Sequence, residues 1–136
     1  MTEIEHGDTS ADVRSLLTGG DRRSIGHVDQ VITLVEVDPA LFGQLIAAMT
    51  DSDPLVRMRG ADAVEKLTLA HPDWLAPYAT ELLGPAASIQ QQEVQWHLAE
   101  LLPRLALSAE ERKRAWEIMQ RNFADSPSKI VRVFSL

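Results

Sequence analysis

Apolar residues recur every three or four positions along most of this chain, and no stretch alternates apolar and polar with a period of two. That spacing puts them on one face of a helix. Val13, Leu16 and Leu17 form a short first stripe, with a cap at Thr9-Ser10 and a stop at Gly19-Gly20. Ile25, Val28, Ile32 and Val35 form the second, capped by Asp21 or Ser24. Asp38-Pro39 restarts the chain with a cap residue and a proline at the first helical position, and Leu41, Leu45 and Met49 follow. Asp53-Pro54 repeats the signal ahead of Val56, Gly60, Val64 and Leu67. His71-Pro72, with His71 as cap or turn residue, opens a helix holding Leu75, Tyr78 and Leu82 that stops at Gly84-Pro85. After a loop and helix start within 85–92 come Val94, Leu98, Leu101, Leu102 and Leu105, with Pro103 set to kink or end that helix. Ser108-Ala109-Glu110-Glu111 reads as a capping box ahead of Trp116, Met119 and Phe123. Asp125-Ser126-Pro127 starts a last segment with Ile130, Val131, Phe134 and Leu136. The fold class is all-α, with short connections that favour antiparallel neighbours.

These stripes also recur. Moved forward by 38 residues, Val56, Ala61, Val64 and Leu67 fall on Val94, Ala99, Leu102 and Leu105. Moved back by 32, Asp53, Gly60, Val64 and Leu67 fall on Asp21, Val28, Ile32 and Val35. The partner-helix starts, Asp38-Pro39, His71-Pro72 and Ser108-Ala109, are spaced by 33 and 37. Two helices per period of 32 to 38 residues predict a right-handed α-solenoid of antiparallel helix pairs, about three to four repeats long. On this reading residues 1–20 are a lead-in with a short capping helix, and residues 21–136 are the repeat domain.

The segment Asp53-Pro54-Leu55-Val56-Arg57-Met58-Arg59-Gly60-Ala61 resembles the second-helix opening of the HEAT and armadillo-like repeat family. Val131-Arg132 echoes it, and Pro77 resembles the proline that bends the first helix of such repeats. The resemblance spans about residues 21–136. It implies a noncatalytic scaffold that binds another protein through the surface of its second helices. The same register aligns Arg59 with His97, Asp62 with Glu100 and Lys66 with Arg104, predicting an exposed ledge of mixed charge. That ledge, Arg59, Asp62, Lys66, His97, Glu100 and Arg104, is the expected protein-binding surface.

Composition narrows the function classes. Thirteen basic residues against twenty acidic ones leave a net charge of -7, which argues against nonspecific phosphate binding. Residues 108–136 reverse the sign, with six basic and four acidic residues. The run Arg112-Lys113-Arg114 spreads around its helix and reads as a solvated face. Without cysteine there is no disulfide framework, thiolate metal site or cysteine nucleophile. No apolar run approaches the roughly 18 residues of a membrane span, and the first residues lack the pattern of a secretory signal. The expected location is cytoplasmic.

The apolar last segment is short for a second helix and lacks the polar outer face of a terminal repeat. It implies a chain clipped from a longer one, or a self-association patch of Ile130, Val133, Phe134 and Leu136 covered by a second copy in a homodimer.

Candidate chemistry is sparse. Glu93, His97 and Glu100 share one helical face with metal-ligand residue types, but no second cluster completes a site, so no metal or cofactor is expected. The family resemblance admits an alkylated-base glycosylase-like activity, with Trp96 and Glu100 as aromatic and acid and Arg57, Arg59, Lys66 and Arg104 as the cations for the backbone. It also admits a bilin-lyase-like repeat module, for which nothing in the chain marks a chromophore site. Tryptophans packed between helices are the simpler reading of Trp74, Trp96 and Trp116.

Overall fold

The computed structural model describes residues 13–18 and 28–125, with side chains through Asn122. Every regular element among them is helical, and no strand occurs among the described residues. Residues 13–17 are helical (α1). They are followed by α2 (Val28–Val37), α3 (Phe42–Ala48), α4 (Pro54–Ala70), α5 (Ala79–Leu83), α6 (Gln92–Leu101) and α7 (Ala109–Asp125). Short 3-10 turns lie at Pro39–Leu41, Pro72–Tyr78, Ala86–Ser88 and Leu102–Arg104. The chain forms two compact units, Met1–Leu67 and Thr68–Leu136. The boundary expected at residues 20/21 lies outside the described residues.

In the first unit most residues of the predicted stripes are core: Val13, Leu17, Val28, Val35, Leu45, Met49, Val56, Val64 and Leu67 are all at most 1% exposed. Leu16 and Ile32 are only half-buried, and Val31, outside the expected stripe, takes the core position on α2. The two Asp-Pro starts act differently. Asp53 caps α4 with its side chain, its Oδ1 accepting the Leu55 N–H at 2.9 Å. Asp38 makes no side-chain cap bond. There the chain enters a 3-10 turn, and the Leu41 N–H donates to the Asp38 carbonyl instead. The small residue of the repeat motif has a steric reason. A Cβ built on Gly60 would lie 2.7 Å from the Cβ of Ala48, so α3 and α4 approach too closely for any side chain there.

The second unit is more broken than its stripes suggest. The helix expected from His71 becomes a 3-10 turn over Pro72–Tyr78, and α-helix begins only at Ala79. Pro77 accounts for this, since it has no N–H for the α ladder and its ring crowds the preceding turn. His71 is a turn residue but not a side-chain cap. Its ring stacks on Trp74 with centroids 4.1 Å apart and planes 8° from parallel. Pro103 ends α6 in the 3-10 turn Leu102–Arg104, leaving Leu105 past the helix and half-buried. The capping box at Ser108 forms in both directions. The Glu111 N–H donates to Ser108 Oγ at 3.2 Å, and the Ser108 N–H donates to Glu111 Oε1 at 2.9 Å. Ala115, Ile118 and Asn122 face inward from α7, which packs against α5.

Candidate functional site

The six residues of the expected ledge meet different fates. In the first unit Lys66 and Asp62 pair across one turn of α4, Nζ to Oδ2 at 3.0 Å, and Lys66 stays exposed. Arg59 corrects the expectation. It is 1% exposed and donates from NH1 to the Leu17 carbonyl at 3.1 Å. That carbonyl belongs to the last residue of α1, where no intrahelical N–H remains to bond it and the helix dipole favours a cation. Helical phase on α4 alone made Arg59 look like a neighbour of Asp62; α1 covers it.

In the second unit His97 is also buried, at 7% exposure, against the expectation of an exposed position. Its Nδ1 lies 3.8 Å from Glu100 Oε1. Arg104 donates from NH1 to Thr68 Oγ1 at 2.8 Å. The third member of the weighed metal cluster, Glu93, accepts bonds from the side-chain amides of Gln91 and Gln92. The Trp96 ring lies nearly parallel to that of His97, with centroids 5.2 Å apart. The cations proposed for a phosphate-tracking groove are all engaged. Arg57 NH1 donates to the Asp51 carbonyl at 2.8 Å, Arg59 bonds Leu17, Arg104 bonds Thr68 and Lys66 pairs with Asp62. The self-association residues Ile130, Val133, Phe134 and Leu136 lie outside the described residues.

Two features of the surface were missed. Leu69 is 67% exposed on α4. It sits two residues past Leu67, about 200° around the helix from the buried stripe, on the side of Asp62 and Lys66. Phase arithmetic applied to every leucine would have found it. Trp116 is 56% exposed on α7, which corrects its assignment to the core. The buried residues there are Ala115, Ile118 and Asn122, and Trp116 is one residue out of phase with Ala115.

The first unit also holds a half-open groove of about 300 Å³ lined by Val13, Arg14, Leu17, Gln44, Ala47, Ala48 and Asp51. At its edge Arg14 makes a two-pronged bond to Asp51, Nε to Oδ2 at 2.9 Å and NH2 to Oδ1 at 3.0 Å. Asp51 Oδ1 also accepts the Asp53 N–H at 2.9 Å. The Arg14 bonds hold the Asp51 carboxyl below its ordinary range against the opposing push of burial, and the Asp53 N–H and the charge of Arg57 act with Arg14. These bonds fasten α1 to the turn between α3 and α4.

No helix among the described residues is long and apolar enough to cross a membrane. No family model, curated protein or solved structure matches this chain.

Proposed function

We propose that this chain is a noncatalytic helical-repeat scaffold of the HEAT-like kind, which binds another protein through the outer side of its second helices. The observation that carries the reading is the outer side of α4. There exposed Leu69 adjoins the Lys66–Asp62 pair, while the opposite side of the helix is pressed against α3 at Gly60. A rigid helix pair presenting one apolar side chain beside a local ion pair suits a polar-rimmed protein interface. The repeat period and the Asp-Pro-Leu-Val-Arg segment support the solenoid arrangement of these pairs. The nucleic-acid alternative loses support, because its cations are bonded within the fold.

The test is affinity capture from the native cell with mass spectrometry, repeated with Lys66→Glu and Leu69→Glu. A partner lost from both variants supports the reading. A partner retained by both, or binding to duplex DNA at low and moderate salt, overturns it.

A further inference from the structure

On α7, the positions three and four residues either side of Trp116 are Arg112, Lys113, Met119 and Gln120. These are its neighbours on the helix surface. Two carry positive charge and none is acidic, in a chain whose net charge is -7. Arg112, Lys113, Trp116 and Gln120 are exposed, and Met119 is half-buried. Arg112 donates from NH1 to the Leu107 carbonyl at 3.3 Å and is otherwise exposed, with a guanidinium that has five N–H donors in all. The nearest acid along the helix, Glu117, is one residue and about 100° further round from Trp116, where it neighbours Lys113 at i+4, so Arg112 is the cation beside the indole with no acid three or four residues away. Arg114 and Arg121, the other two cations of this helix, reach inward to the Leu83 and Ala87 carbonyls. The basic residues are therefore divided: Arg114 and Arg121 fasten the fold, and Arg112 and Lys113 flank an exposed indole on its N-terminal side.

We propose that this face of α7 is a second docking site, whose occupant is an acidic protein segment with an apolar anchor. Its carboxylates meet Arg112 and Lys113, and its anchor side chain lies on the Trp116 ring. Tryptophan and arginine are among the side chains that most often carry binding energy at an interface, and the two cations on the N-terminal side of the indole favour an acidic partner. A membrane surface fits less well. An interfacial helix turns a whole apolar face to lipid, whereas the apolar residues Ala115 and Ile118 of α7 are buried in the unit. The site uses no residue of the α4 surface, so it stands or falls separately from that reading.

The experiment is a selection of random 12-residue peptides on the immobilised full chain, followed by fluorescence anisotropy of the enriched sequences. The expected peptides are rich in Asp and Glu with one Phe, Leu or Trp, and bind more weakly as salt rises. Trp116→Ala weakens them at least tenfold and Trp116→Phe much less. The double variant Arg112→Glu with Lys113→Glu abolishes binding, and Arg114→Gln leaves it unchanged. Far-UV circular dichroism confirms that each variant is folded. The proposal is overturned by any of three results: no enriched peptide, enriched peptides that are neutral or basic, or peptides that bind Trp116→Ala as tightly as the parent. Peptides lost with Leu69→Glu but kept by Trp116→Ala would place docking on α4 and also overturn it. Sedimentation with phosphatidylserine vesicles in the absence of any peptide binding would assign the face to lipid.

Discussion

The two units solve one problem in two ways. A helix end leaves carbonyls without partners, and short helices have many ends. In the first unit the turn between α3 and α4 is closed locally. Asp51 accepts from Asp53, Asp53 caps α4, and Arg57 reaches back six residues to the Asp51 carbonyl. In the second unit prolines 77, 85 and 103 cut the chain into shorter pieces, and the closure comes from far along the sequence. Arg114 donates to the carbonyl of Leu83, the last residue of α5, at 3.3 Å, and Arg121 donates to that of Ala87 at 2.8 Å. Arg59 does the same in the first unit for the end of α1. Long cationic side chains thus close helix ends in both units, and the second unit, with its shorter helices, uses two of them beside the local capping box at Ser108. Among the described residues, Arg57, Arg59, Arg112, Arg114 and Arg121 each donate to a backbone carbonyl, while Arg14 pairs with the Asp51 carboxylate.

The largest effect should come from Gly60. Gly60→Val forces α3 and α4 apart and should cost about 3 kcal/mol or more, read by chemical denaturation. Ala48→Gly in the same chain should recover part of the loss, because the nearest obstruction to a new Cβ is Ala48 Cβ. No recovery would mean that the approach at Gly60 is not what binds the pair together.

Arg59→Met comes next. It keeps the bulk of a fully buried side chain but leaves the Leu17 carbonyl without its donor, and should lower stability by about 2 kcal/mol. Hydrogen exchange should then rise first in residues 13–18.

Arg114→Gln combined with Arg121→Gln tests the long-range closure of the second unit. Both side chains are largely exposed, so the pair should contribute only about 1 kcal/mol. Exchange should quicken at the end of α5 and near Ala87, and the first unit should be unaffected. A loss as large as that of Gly60→Val would overturn the contrast.

The smallest effect should be one of acid. The Asp51 carboxyl is held below its ordinary value by Arg14, so the unfolded chain binds the proton more readily. Its stabilisation is therefore fully present above the ordinary Asp range and fades as pH falls through the lowered value. Asp51→Asn should flatten that part of the acid-unfolding curve and change little at neutral pH beyond the lost Arg14 pairing.

Much of the fold was legible because it is written in local spacing. The three-and-four stripes mark much of the core of the first unit, though Val31 replaces Ile32 and Phe42 and Ile46 join it, and Asp53, Ser108 and Pro103 act where the helix-start and helix-stop rules place them. Pro77 went further than the bend assigned to it and replaced α-helix with a 3-10 turn. The candidate surface was less legible. Asp62 and Lys66 pair across one turn of α4, with Lys66 exposed and Asp62 half-buried, a contact that helical spacing alone places. Arg59 and His97 are buried against expectation, Trp116 was assigned to the core and is exposed, and Leu69 escaped notice.

The sequence by itself determined the helices, most of their ends and the apolar side of each, because propensity, capping and periodicity act within about four residues. Tertiary structure alone decided which polar residues were buried and which apolar ones were left outside. Whether Arg59 meets water depends on α1, some forty residues away in the chain, and no local pattern records that neighbour.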